Sequence, residues 1–194
     1  AATAQEAADL TLIARLASEA LLLPALVAQD AWLTTHALSP VRLPTPEQIA
    51  AYLGSAEDRV RCATAAQRLL FGAERRRVPR RWDVDAPALT GFEQGRDAYG
   101  QAAAAHALLL QADAGRVVDE AVAGFATLTG RHLPRLDAWE ADDADLLILV
   151  QGDARAVAQA VARHLRRKRG LKVGVLTLRC LRPFPAEALA SLLL

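Results

Sequence analysis

The sequence contains no methionine and no asparagine, and its only lysines are Lys168 and Lys172. A chain without methionine is expected to begin somewhere other than its own translation start. Cysteine is nearly absent: Cys62 and Cys180 are the only two. They lie far apart with no metal-type spacing, which points to a reducing, cytoplasmic compartment and to small core hydrophobes. No stretch reaches the roughly 18 consecutive apolar residues of a membrane span. No charged-then-apolar segment opens the chain as a secretory signal would. An excess of either charge is missing too, since the net charge is +1. Nucleic acid and membrane are therefore not expected partners.

Several chemical motifs are also missing. The turn Gln151-Gly152-Asp153-Ala154-Arg155 follows an apolar run and precedes a helix. It is neither G-x-G-x-x-G nor a P-loop, and an acidic residue there opposes phosphate binding. No Ser-His-Asp set and no paired carboxylates stand out. His106, His132 and His164 fall on different elements without metal-ligand spacing, so no metal site is expected.

What is present is a chain of 194 residues, 53% hydrophobic, long enough to bury a core. Thr3-Ala-Gln-Glu6 reads as a capping box. It opens a helix with Leu10, Ile13, Leu16, Ala17 and Ala20 on one face, closed by Pro24. Ala25-Leu26-Val27-Ala28 reads as a short buried strand. Thr45-Pro46-Glu47-Gln48 starts a second helix that stops at Gly54. Residues 55 to 96 read as a connector, with a possible helix from Cys62 to Phe71 and a loop from Asp83 to Gly95. Asp97 to Gln111 and Arg116 to Leu128 read as a helical hairpin. The second arm carries a stripe of Val117, Ala121, Phe125 and Leu128, and Gly130 suits its cap. Leu146 to Val150 reads as a strand covered on both faces. Asp153 should cap a helix with the stripe Ala154, Val157, Ala158, Val161 and Leu165. Arg166 to Arg169 complement that helix's dipole. Lys172 to Arg179 is a second strand, completing a βαβ unit. Pro185 starts a further helix.

The candidate site is Asp30-Ala-Trp-Leu-Thr-Thr-His36. It follows the expected strand, at the end where open α/β sheets place ligands. Asp30, Thr34, Thr35 and His36 gather a carboxylate, two hydroxyls and an imidazole. The competing reading is a turn in which Asp30 and the threonines satisfy backbone groups. The basic run Arg75, Arg76, Arg77, Arg80 and Arg81 could bind phosphate. With only Trp82 beside it, and Asp83 and Asp85 following, a salt-bridged connector is the better reading. Glu140, Asp142, Asp143 and Asp145 read as an exposed loop.

Three stretches resemble one family. Leu23-Pro-Ala-Leu-Val-Ala-Gln-Asp-Ala-Trp-Leu-Thr-Thr-His36 is similar to a strand followed by Asp-Gly-Phe-x-Thr/Ser-Ser/Thr-His. Gln94-Gly-Arg-Asp-Ala-Tyr-Gly-Gln101 looks like a segment of long fused bacterial members. Gly170-Leu-Lys-Val-Gly-Val-Leu-Thr-Leu-Arg-Cys-Leu-Arg-Pro-Phe-Pro185 is similar to Gly-x-Lys-Val-Gly…Arg-Pro-Phe-Pro. The family is the 2-oxoacid:acceptor oxidoreductases, including the pyruvate:ferredoxin and pyruvate:flavodoxin enzymes. In this chain Ala31-Trp32 stands where the family has Gly-Phe.

The resemblance implies an α/β fold made of parallel-sheet segments of two domains. Residues 1–54 would be the end of a pyrimidine-binding-type domain. Residues 55–139 would be a connector with the helical hairpin, and 140–194 the start of a transketolase C-terminal-like domain. It implies oxidative decarboxylation of a 2-oxoacid to an acyl-CoA. Thiamine diphosphate with Mg, iron–sulfur clusters and coenzyme A would serve the whole enzyme. Implied partners are the remaining domains or subunits, ferredoxin or flavodoxin as electron acceptor, and an oligomeric assembly. Two cysteines cannot ligate a four-cysteine cluster, so this segment is not expected to catalyse the reaction alone. The alternative expectation is a non-catalytic α/β assembly or regulatory module derived from that family.

Overall fold

The computed structural model describes residues 1–80 and 95–193. Arg81, Trp82, Asp83, Asp85 and Gln94, with the expected loop around them, lie outside the described residues.

Helix α1 (Ala4–Leu21) begins at Thr3, whose hydroxyl accepts from the Glu6 N–H. The expected capping box closes differently. The Glu6 carboxylate accepts from the N–H of Ala2, one residue upstream of the cap. Leu22 ends the helix in the left-handed conformation. Helix α2 (Pro46–Leu53) has the full reciprocal box between Thr45 and Gln48, with Pro46 where its missing N–H costs nothing. Both helix starts were legible because caps are local.

The run Ala25–Ala28 is not a buried strand. It is extended, has no ladder partner among the described residues, and leaves Leu26 94% exposed. An apolar run becomes a buried strand only when neighbours supply hydrogen bonds and cover both faces. Strands β1 (Arg59–Arg61) and β2 (Glu74–Arg76) pair antiparallel and enclose helix α3 (Ala65–Phe71). The helix start slips from Cys62 to the Thr64 cap, whose hydroxyl accepts from Gln67. The basic connector is also more than a solvated run. Arg75 is buried and donates to the carbonyls of Glu19 and Ala20 at the end of α1, to those of Arg76 and Arg77, and to the Gln67 side chain. Arg76, Arg77 and Arg80 behave as read: Arg76 and Arg80 meet Glu57, and Arg77 meets Asp58.

Helix α4 (Arg96–His106) runs into a π-helical turn, Ala107–Gln111. It is not the packed first arm of a hairpin. None of its residues is buried, and only Ala112 and Asp113, both right-handed, separate the turn from helix α5 (Ala114–Thr129). Its alanine-rich surface offers little area to bury. Helix α5 follows its stripe: Val117, Ala121, Val122 and Phe125 are buried, and Gly130 caps it at φ 72°. It packs on α1 around Ile13, Ala17 and Phe125, with Leu133 closing the cluster. Phe125 is fully buried, worth roughly 1.5–3 kcal/mol of transfer energy.

The terminal unit is a three-stranded sheet in the order β3-β5-β4. Strands β4 (Leu146–Val150) and β5 (Val173–Leu178) are parallel, joined across helix α6 (Ala154–Arg169). The expected βαβ unit is present. Strand β3 (Leu136–Trp139), antiparallel to β5, was not read from its sequence. Gly174 is required where β5 passes the loop after β3, since a Cβ there would sit 2.7 Å from the Glu140 carbonyl. Helix α6 turns differently from the expected stripe. Ala162 is fully buried with Ala158 and Leu165 beside it, while Val157 and Val161 stay exposed. Asp153 makes no side-chain cap. The acidic loop is tied rather than free, because Arg166 pairs with Asp143 at 2.8 Å and Glu140 at 3.1 Å. Helix α7 (Ala186–Leu193) starts after Pro185.

Candidate functional site

Residues Ala31–Thr35 form one π-helical turn organised by Asp30. Its carboxylate accepts from the N–H groups of Trp32 at 2.9 Å and of Leu33 and Thr34 at 3.0 Å. Those bonds, that of Trp32 first, hold the Asp30 carboxyl below its ordinary value. The Thr35 hydroxyl donates to the Ala31 carbonyl at 2.9 Å. The His36 ring stands edge-on to Trp32, with centroids 5.8 Å apart. The backbone-satisfying reading therefore accounts for Asp30 and Thr35. Thr34 is the exception: it is buried, and its hydroxyl has no partner among the described residues. It is the one buried side-chain group of the turn without a hydrogen-bond partner among the described residues.

Asp30 and Gln29 line one side of a crevice of about 290 Å³. Its lining also includes Gln151-Gly152, after the carboxyl end of β4, and Thr177 and Arg179, at the end of β5. Two places of separate interest in the sequence, the Asp30 turn and the βαβ turn, thus line one crevice. Thr34, Thr35 and His36 do not line this crevice. The other histidines and both cysteines are not gathered. Among the described residues no group of three or more His, Cys, Asp or Glu side chains could hold a metal ion.

Glu6 and Arg179 of the crevice lining belong to a charge cluster that sequence reasoning missed. The buried Glu6 carboxylate takes Arg155 from α6 at 2.5 Å and Arg179 from β5 at 3.0 Å. Arg179 also reaches Asp137 on β3 at 2.9 Å. Burial by itself raises the Glu6 carboxyl. The Ala2 N–H and the two guanidinium groups more than offset that, and leave it below its ordinary value. Glu6 therefore stays ionised and joins α1 to the terminal sheet. No local signal could have paired it with residues 149 and 173 positions away. A second buried pair, Asp9 with Arg131 at 2.7 Å, holds α1 against the end of α5.

Comparison with known proteins gives two family matches in series. Residues 1–113 match the model described as "Pyruvate flavodoxin/ferredoxin oxidoreductase, thiamine diP-bdg". Residues 144–194 match "Pyruvate:ferredoxin oxidoreductase core domain II". The chain is 30% identical over 192 residues to the pyruvate synthase subunit PorA of Pyrococcus furiosus, covering 97% of this chain and 43% of that protein. It is 26% identical over 189 residues to PorA of Methanothermobacter thermautotrophicus, covering 96% and 44%. It is 28% identical over 186 residues to the pyruvate:ferredoxin oxidoreductase of Moorella thermoacetica, covering 96% and 14%. The chain thus spans less than half the length of these curated relatives. No helix among the described residues is long and apolar enough to cross a membrane.

Proposed function

The chain belongs to the pyruvate flavodoxin/ferredoxin oxidoreductase family, and we propose that it forms part of a thiamine-diphosphate-dependent 2-oxoacid oxidoreductase acting on pyruvate. The observation that carries this reading is the order of the two family matches along one chain. Residues 1–54 are the end of the pyrimidine-binding-type domain, 55–139 the connector, and 140–194 the start of the transketolase C-terminal-like domain. The role of the segment is to close the cofactor domain and dock the next one. The Glu6 pairs with Arg155 and Arg179 support that role, because they tie one matched region to the other.

Thiamine diphosphate supplies the carbanion chemistry of such enzymes when bound. The candidate turn does not complete a site for it: the Asp30 carboxylate is consumed by the turn's own N–H groups, and of the turn's buried side chains only the Thr34 hydroxyl has no partner among the described residues. Iron–sulfur ligation needs four thiolates per cluster, and this sequence has two cysteines. The cofactor with Mg, the clusters and coenzyme A are therefore assigned to the assembled enzyme. Its other subunits or domains, and ferredoxin or flavodoxin as acceptor, are the partners, in an oligomeric assembly in the cytoplasm. Asp30, Thr34, Thr35 and His36 are the residues of this segment assigned to face that active site.

The test uses the full-length protein with its partners. Pyruvate- and CoA-dependent reduction of ferredoxin, or of a viologen dye, is expected. His36→Ala and Thr35→Ala should lower turnover or raise the KM for the 2-oxoacid. If both parameters stay unchanged, the turn has no site role. If the native assembly turns over no 2-oxoacid, the non-catalytic module is the correct reading.

A further inference from the structure

The chain leaves the Asp30 turn at His36 and enters its next helix at Pro46. Between them, residues 37–44 form neither helix nor strand. Ala37, Leu38, Ser39 and Pro40 are all exposed, so burial does not fix this part of the loop. Within residues 37–44, Arg42 is the only one whose backbone makes a hydrogen bond among the described residues. Both of its backbone groups are taken by one side chain. The Arg42 N–H donates to the Gln5 side-chain oxygen at 2.7 Å, and the Gln5 amide donates to the Arg42 carbonyl at 3.1 Å. Gln5 thus meets Arg42 as a neighbouring strand would, with a donor and an acceptor side by side.

The Gln5 amide is itself held. It also donates to Asp9, one turn further along α1, at 2.9 Å. Asp9 is 1% exposed and accepts from Nε of Arg131 at 2.7 Å and from its Nη2 at 2.9 Å. Arg131 lies over the Phe125 ring at 5.5 Å, and its Nη2 reaches the Arg42 carbonyl at 3.4 Å. A carboxylate only accepts, so Asp9 sets the orientation of the amide. The nitrogen faces Asp9 and the Arg42 carbonyl, and the oxygen faces the Arg42 N–H. The hold on Arg42 is built outward from a buried carboxylate.

We propose that Gln5 is a positioning residue for the Asp30 turn: by fixing Arg42 it holds residues 37–41, and so keeps Thr35 and His36 in place for the 2-oxoacid. The inference rests on the reading that this turn faces the active site. Helix α1 carries both fixed ends of the stretch, because the turn packs against the same helix. Without Gln5, the stretch after His36 loses its anchor. A loop that is correctly placed for only a fraction of the time lowers the apparent affinity by that fraction. Bound substrate selects the correct placement, so Gln5 acts on KM and leaves kcat.

Hydrogen exchange and steady-state kinetics on the native full-length protein with its partners test this. In wild type the Arg42 amide should exchange about tenfold or more slower than those of Leu38, Val41 and Leu43. In Gln5→Ala it should exchange as fast as they do. Loss of two hydrogen bonds shifts the loop by about tenfold or more. The KM for pyruvate should therefore rise about tenfold while kcat stays within about twofold. Gln5→Glu keeps the acceptor for Arg42 and loses the donor, and should raise KM as well. A fall in kcat at unchanged KM is the signature of a smaller folded fraction and overturns the proposal. Equal exchange of Arg42 and its neighbours in wild type also overturns it. His36→Ala is assayed alongside. A kinetic effect of His36→Ala with none from Gln5→Ala overturns the positioning role alone; no effect from either overturns the reading of the turn.

Discussion

Replacing Glu6 by Gln removes one charge from the buried cluster and little volume. Arg179 keeps Asp137 and the Pro134 carbonyl. Arg155 keeps no carboxylate among the described residues, and its side chain is 20% exposed. Removing one partner of a buried pair costs about 3–5 kcal/mol. Partial hydration of Arg155 places Glu6→Gln near the lower end, at about 3 kcal/mol. For a chain of 194 residues, each kcal/mol shifts Tm by roughly 2–4 °C, so the expected drop is about 6–12 °C. The pH dependence gives an independent check. The folded carboxyl titrates below its ordinary value of 4.5. Its contribution is therefore complete above pH 4.5 and is lost as pH falls through the lower folded value. Thermal melts of wild type and variant should differ fully at pH 7 and converge in strong acid. A drop below 1 °C at pH 7, or a gap that persists at acid pH, would refute the account of Glu6 as an ionised clamp.

Arg75→Met should cost roughly 3 kcal/mol in urea denaturation, because the carbonyls of Glu19, Arg76 and Arg77 lose its guanidinium at about 1–3 kcal/mol each, while that of Ala20 keeps the Gln67 amide. Arg75→Lys should recover only part of that, since an ammonium cannot reproduce the planar fork. Thr34→Val should leave stability unchanged or raise it by about 1 kcal/mol, because the hydroxyl it deletes is buried and unpartnered; a clear loss would reveal a hydrogen bond to that hydroxyl. Tyr52 donates to the Ala121 carbonyl at 2.8 Å, and burial pushes its phenol well above the ordinary range. In an ultraviolet titration, the phenolate signal that is lost in Tyr52→Phe should appear only as the protein unfolds; its appearance in the folded protein would contradict the burial of Tyr52.

What the sequence determined by itself was local or periodic. The Thr3 and Thr45 caps, the Gly54, Gly130 and Gly170 stops, the α5 stripe and the βαβ pattern follow from interactions within a few residues. The Asp30 turn belongs here too, since its hydrogen bonds span two to four positions. The family was legible because its motifs are short and contiguous. Tertiary structure decided everything that depends on a distant neighbour. Ala25–Ala28 has the composition of a buried strand and lies exposed, because pairing partners and not composition make a strand. Val157 and Val161 fit a helical stripe, yet the sheet selects the face with Ala158, Ala162 and Leu165. Glu6 looked like half of a local cap. Its burial and its two arginines come from the far end of the chain, and an ion pair buried away from water carries no mark in the spacing of its members.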